Sequence, residues 1–350
     1  MNQKFLSEKE IAGELIVFVV GQFKGRPRGE KLEPITLRSA PTYFRASLPK
    51  QLILKSEKQT IEDRLVEFQI KTYLPDILVV EARVSLENIF FDKALDYKDK
   101  LLEACYLFFE KRGGKKEWVE EYSVWVVSNY QGEPEQFFQW KEKIASFLKS
   151  EKLPLDEKEI NQTLEAQLKY AKNDLVIIDW DGAFIFDPEG DFAAIVELLE
   201  LANFQLLKYR LLDFELDERL LEVAKIFGSF PQKKPFLGAF LGGKEVKEGM
   251  QSIIKIRSAS IFEFQALERD IKLIGDWYWA RLYDLAAKKF KFEEWRKHIK
   301  NKLEAMEDIY SIVAERFSWS PERIELVGWF LLLLGWMVIL IFDLWRTFFK

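Results

Sequence analysis

Apolar residues recur along this chain with different spacings, and the changes of spacing mark its elements. Residues 14–20, ELIVFVV, are a run rich in β-branched side chains and predict a buried strand. Residues 62–73 alternate, with Leu65, Val66, Phe68, Ile70 and Tyr73 set among charges. Pro75-Asp76 then predicts a turn, and residues 77–84 a hairpin partner strand. Residues 95–111 place Leu101, Ala104, Cys105 and Phe108 on one helical face, and Gly113-Gly114 ends that helix. Residues 117–128 read as a strand, residues 134–150 as a helix striped by Phe137, Phe138, Ile144 and Phe147, and residues 157–171 as a further helix. Two short strands, 175–179 and 183–186, flank the hairpin signal Asp181-Gly182. Amphipathic helices follow at 192–209 and 216–227. Strand and helix alternate throughout, which predicts an α/β (α+β) soluble domain over residues 1–227, with helices covering a sheet.

The period then changes. Residues 228–243, GSFPQKKPFLGAFLGG, hold two prolines and four glycines and predict a hinge. From residue 244 to 319 the pattern is helical. One seam runs through Ile261, Phe264, Leu267, Ile271, Ile274, Tyr278, Leu282 and Leu285, and a second through Phe292, Trp295, Ile299, Met306, Ile309, Val313 and Phe317. A break near residues 288–291 predicts a long antiparallel helical hairpin, a stalk.

Periodicity vanishes at residues 326–342, LVGWFLLLLGWMVILIF, which carry no charge. A hydrocarbon core of about 30 Å needs roughly 20 apolar residues. Residues 320–346 meet that length and predict one C-terminal transmembrane helix, followed by a short tail at 347–350. Trp329 and Trp345 suit the two interfaces, and Arg346 can reach the headgroups. Gly328 and Gly335 share a face on which copies of the helix can approach one another. With no ionisable residue in the run, a lone helix offers no proton relay.

Composition narrows the chemistry. The 350 residues suffice for two domains and an anchor, and a net charge of -5 gives no broad basic footprint for nucleic acid. Cys105 and His298 are the only cysteine and histidine. They leave no intramolecular disulfide, no cysteine zinc cluster and no multi-histidine metal site. No catalytic residue and no cofactor is assigned on this pattern. The first twenty residues lack the long apolar core and small-residue cleavage site of a signal peptide. The bulk is therefore expected on the side where it is made, cytoplasm or matrix, on a bacterial, archaeal or mitochondrial inner membrane.

Two polar stretches can carry binding. Lys24, Arg26 and Arg28 lie in a glycine-rich loop, 21–34, that could hold RNA backbone or an anionic lipid headgroup, or simply be a solvated loop without a phosphate-binding pattern. Asp179, Asp181 and Asp187 lie close along the chain with Asp174 and Asp191. Oxygen-ligand divalent sites use such residues, and aspartate is equally the natural residue of tight turns.

The last part of the chain, with its two seams, LEAMEDIYSIVAERFSWSPERIELVGWFLLLL and a single terminal membrane helix, resembles the "required for meiotic nuclear division" family. That resemblance implies a membrane-anchored homo-oligomer facing cytosol or matrix. It also implies, through members that support translation at a membrane, nucleic acid or a ribosome as partner. It supplies no catalytic residue. The plan is also similar to that of CorA-type magnesium channels. Those have two membrane helices and a Gly-Met-Asn motif, where this chain reads Gly335-Trp336-Met337-Val338. The expectation is a tail-anchored, self-associating scaffold without catalysis, its partners a lipid bilayer and copies of itself. The alternatives are a CorA-like channel or divalent-ion transport accessory, and an RNA- or lipid-binding module.

Overall fold

The computed structural model describes residues 11–24, 30–32, 51–74, 76–229, 243–271, 277–317 and 321–348. In chain order the elements begin with β1 (Gly13–Phe23), β2 (Glu30–Leu32), β3 (Gln51–Ile61), β4 (Arg64–Tyr73), β5 (Ile77–Leu86) and α1 (Ala94–Lys111). They continue with β6 (Gly114–Val127), a 3-10 helix (Pro134–Trp140), α2 (Lys141–Leu148), α3 (Glu157–Glu165), β7 (Gln167–Leu168), β8 (Leu175–Ile178) and β9 (Gly182–Phe186). Five long helices close the list: α4 (Ala193–Ser229), α5 (Gly243–Ile271), α6 (Trp277–Lys289), α7 (Phe292–Phe317) and α8 (Pro321–Phe348). The result is an α/β sheet domain followed by long helices, the last of them apolar.

The strands form one sheet in the order β2-β3-β4-β5-β1-β6-β9-β8-β7. Every pairing is antiparallel except β6 with β9, where Val124 meets Ala183. A parallel neighbour needs a crossover rather than a hairpin, and the helices between residues 134 and 165 supply it. Strand β1 sits centrally, with Val17 opposite Ala82 of β5 and Ser123 of β6. Its residues 15–20 are all buried, because helices cover both sides of the sheet. That explains why this strand is continuously apolar while β4, nearer the edge, alternates.

Leu15, Val17 and Val19 join the core under α1, with Phe68, Val80 and Cys105. On the same face an aromatic stack fills the space under the crossover. Phe90 lies between Trp140 (5.1 Å) and Phe184 (5.7 Å), and Trp125 stacks on Phe147 (4.3 Å). The opposite face meets α4: Tyr73 packs on Phe204, Trp118 on Phe214, and Arg210 pairs with Glu120.

Two compact units result, Met1–Leu216 with Ile261–Lys300, and Asp217–Ser260 with Asn301–Lys350. The first holds the sheet, its covering helices and the α6–α7 corner. The second is tied by polar contacts between α4, α5 and α7: Arg219 donates to Ser260 Oγ at 2.8 Å, Lys302 pairs with Asp217 at 2.8 Å, and Arg257 pairs with Glu307. Val223, Ile253 and Met306 are buried there. Gly328–Arg346 of α8 is apolar, long enough to cross a membrane, and wholly unburied.

Several elements differ from the sequence reading. The two helices expected at 192–209 and 216–227 are one helix, α4, since no glycine or proline separates them. The helix expected over 157–171 stops at Glu165 and yields to the edge strand β7. Strand β3 was not expected at all. The expected stalk comprises α5, α6 and α7, with residues 272–276 outside the described residues, and its middle part, residues 261–300, belongs with the sheet. The turn near residues 288–291 is present, with Lys291 at φ 53°. Most of the expected hinge, residues 230–242, lies outside the described residues.

Candidate functional site

The Asp181-Gly182 signal makes a hairpin between β8 and β9 whose tip is Asp179, Trp180 and Asp181. Its backbone is engaged by β6. The Asp179 carbonyl accepts from the Tyr122 hydroxyl (3.0 Å), and the Asp181 carbonyl accepts from the Ser123 amide (3.2 Å) and hydroxyl (3.3 Å). A Cβ at Gly182 would lie 2.8 Å from Ser123 Oγ and 2.9 Å from the Ser123 carbonyl oxygen, so only glycine lets β9 approach β6 this closely.

The Asp179 side chain turns inward and is 5% exposed. Lys289, the last residue of α6, reaches its Oδ1 at 3.0 Å, and Lys149, just past α2, reaches its Oδ2 at 3.1 Å. Lys149 also pairs with Glu159 of α3 at 2.8 Å. Burial opposes the charge of Lys149, but the hydrogen bonds it donates to Glu159 and Asp179, with their negative charges, outweigh it and hold the ammonium above the usual lysine range. Asp181 moves the other way: burial, then the charge of Asp179, raises its carboxyl. Trp180 meets Phe290 edge-on at 6.0 Å, and Tyr122 meets the same ring at 5.8 Å. Phe290 opens the turn between α6 and α7.

The arrangement is a latch. One buried carboxylate gathers α2, α3 and α6 onto a hairpin tip, and the aromatic contacts seat the α6–α7 corner on the sheet. Beside that corner lies a groove of about 540 Å³ lined by Tyr283, Asp284, Lys288, Lys291, Glu293 and Arg296, a mixture of acids and bases. Asp179→Ala is expected to cost about 1–3 kcal/mol, the loss of charge-assisted hydrogen bonds rather than of a sealed pair, because both lysines can turn to water. Urea unfolding followed by near-UV circular dichroism would measure it, and an unchanged midpoint would show that the latch holds nothing.

The aspartates proposed as metal ligands take separate roles. Asp179 and Asp181 share the tip, whereas Asp187 sits at the far end of β9, where its Oδ1 accepts the Glu189 amide at 2.8 Å in a turn. Asp174 likewise accepts the amides of Tyr170 (2.7 Å) and Ala171 (3.0 Å). Among the described residues no group of three or more His, Cys, Asp or Glu side chains is arranged to hold a metal ion. Lys24 is exposed, and its amide donates to the Gly113 carbonyl at 3.1 Å, while Arg26 and Arg28 lie outside the described residues. Trp329, Gly335, Trp345 and Arg346 all lie on the unburied helix α8. Cys105 is fully buried and burial raises its thiol, and His298 is exposed on α7. Lys149, Lys289 and Tyr122 complete the latch although nothing in their local sequence marked them.

Comparison with known proteins corrects one expectation. The uncharacterized protein MJ0711 of Methanocaldococcus jannaschii is 27% identical over 309 residues, 88% of this chain and 90% of its own length. No solved structure matches. The chain is thus not placed in the "required for meiotic nuclear division" family. That likeness rested on leucine-rich helices ahead of a membrane helix, a pattern that any anchored helical protein repeats. The match that does hold covers the sheet, from the first residue of β1 to the first of α4. Over residues 13–193 the chain fits the family model described as "Uncharacterized protein MJ0711, N-terminal domain", and it belongs to that family.

Proposed function

We propose that this protein is a membrane-anchored, self-associating scaffold whose sheet domain stands in the cytoplasm and whose work is binding rather than catalysis. The observation that carries the reading is α8. Gly328–Arg346 carries no charge before Asp343, and none of it is buried against the rest of the chain. In water an exposed apolar surface of that length is a strong liability, whereas in a bilayer it is the natural solvent-facing surface of a spanning helix.

Self-association is supported by the outer faces of the second compact unit. Leu221 of α4, Ile254 of α5 and Ile312 of α7 are 62%, 44% and 51% exposed, while their neighbours Val223, Ile253 and Met306 are buried. Apolar side chains are thus spread over both the inside and the outside of these helices, as expected of helices with further partners. The test is particle mass in lipid nanodiscs or mild detergent. The wild type is expected to run as an oligomer, and the triple substitution Leu221→Glu, Ile254→Glu, Ile312→Glu as a monomer with unchanged helix content. A wild type that is monomeric at all concentrations would overturn the scaffold reading.

A further inference from the structure

On the face of the sheet that meets α4, three ionisable side chains that take no part in the hairpin latch are sealed together. Lys71 of β4 and Glu81 of β5 are each 6% exposed, and Glu200 of α4 is not exposed at all. The Lys71 ammonium lies 2.6 Å from Glu200 Oε2 and 3.3 Å from Glu81 Oε2, so two carboxyl groups converge on one cation. Arg83 of β5 reaches the other oxygen of Glu81 at 3.3 Å and is itself partly in solvent. Tyr73 of β4 stacks on Phe204 of α4, and its hydroxyl faces Glu200. Glu197, one turn earlier on α4, and Cys105, through the sheet, complete the ionisable surroundings.

Two carboxylates cannot both ionise at such close quarters around a single buried ammonium, because like charges repel strongly where water is excluded. Paired carboxyl groups in this situation keep a proton. We propose that Glu81 and Glu200 hold one proton between them in the folded protein, over the Lys71 ammonium, and that α4 loosens from β4 and β5 when that proton leaves. The seam is then a proton-binding site that ties the packing of a 37-residue helix to pH.

The direction of each shift agrees. Burial raises the Glu200 carboxyl well above its ordinary value of 4.5, and the charge of Glu81 adds to the effect against the pull of Lys71. Burial works against Glu81 as well, but Lys71, the hydrogen bond with Glu200 and Arg83 together outweigh it and hold that carboxyl down to about 2. Lys71 is itself raised, since its two glutamates overcome the cost of its burial. The signs follow from linkage. Glu81, depressed, contributes stability that is present above 4.5 and fades as pH falls towards about 2. Glu200, elevated, contributes stability that is complete below 4.5 and declines as pH rises from there. The seam is therefore tightest near the ordinary carboxylate value and weakens towards alkali. Glu120, raised to about 7 by burial against its Arg210 partner, adds a separate decline that ends near that pH.

The test uses the full chain in nanodiscs. Infrared spectra of the wild type should show a protonated carboxyl C=O stretch that persists above about pH 7, after Glu120 has ionised, and that Glu200→Gln removes. In parallel, hydrogen exchange of the α4 amides, corrected for intrinsic rates, should show protection falling with pH in the wild type. The fall should approach about tenfold per pH unit relative to Glu200→Gln, the signature of one proton released. If Glu200→Gln does not fold, the infrared titration of the otherwise native chain carrying Glu120→Gln and Asp181→Asn decides alone. Absence of any neutral-carboxyl absorption above about pH 7, or its survival in Glu200→Gln, would overturn the proposal. So would equal pH slopes of α4 protection in the two proteins.

Discussion

An arginine at position 333 is expected to shift the chain out of the membrane. Leu333 lies midway along α8 and is 67% exposed, so among the described residues no neighbouring helix shelters a charge there. Placing arginine at the centre of a spanning helix costs about 2.5–3.5 kcal/mol on insertion scales, which is roughly a hundredfold in partitioning. The measurement is the fraction of protein in membranes that resists alkaline extraction, compared with Leu333→Ile as a control. Full retention of the arginine variant would mean that α8 is packed against something other than lipid.

The second large effect is expected inside the sheet domain. Phe90→Ala should destabilise it by about 3–5 kcal/mol, the usual cost of emptying an aromatic site in a core. Phe90 is 1% exposed, and its ring lies nearly parallel to Trp140 and Phe184, at 11° to each, with Phe147 a little farther off. It therefore joins the 3-10 helix, α2 and β9 in one stack. Its backbone is held independently: the amide donates to Asn88 Oδ1 at 3.1 Å and the carbonyl accepts from Lys143 at 2.8 Å. The segment cannot readily slide to fill the void. Against a typical domain stability of about 5–15 kcal/mol, that loss should lower the urea midpoint markedly. Because the two units need not unfold together, near-UV circular dichroism is the proper probe, and Phe90→Leu should recover much of the loss. A shift below about 1 kcal/mol would show that the stack relaxes around the missing ring.

Much of the sheet was legible because local sequence and tertiary burial agree there. Strand β1 is apolar from Leu15 to Val20 since both its faces are covered, and β4 and β5 are flanked by a turn that their own residues form. Strand β3 escaped notice for the opposite reason. Its sequence, QLILKSEKQTI, is charged where a long strand is expected to be apolar. That suits a strand that, among the described residues, pairs with β2 over residues 51–53 alone, the kind of edge that charged side chains keep from attracting another chain. The fusion of two expected helices into α4 reflects polar residues, Arg210 and Asp213, that interrupt the apolar stripe without breaking the backbone.

The latch divides in the same way. Its hairpin was readable, because Asp-Gly chemistry acts over four residues. Its partners were not, since Lys289 lies 110 residues from Asp179 and only the folded chain brings them together. An array of five aspartates looked like a cation site in one dimension. In three dimensions Asp174 and Asp187 cap their own turns and Asp179 is neutralised by lysines.

Cys105 gives the fold a built-in reporter. Its sulfur lies in the core beneath α1, sealed from solvent and held as a thiol by burial. Alkylating reagents attack the thiolate, so native protein should stay unmodified until α1 lifts from the sheet. The rate of labelling then counts those openings directly. Because the sequence contains no second cysteine, every labelled molecule records the same event, and probes placed elsewhere on the surface can be attached without first removing a native sulfur.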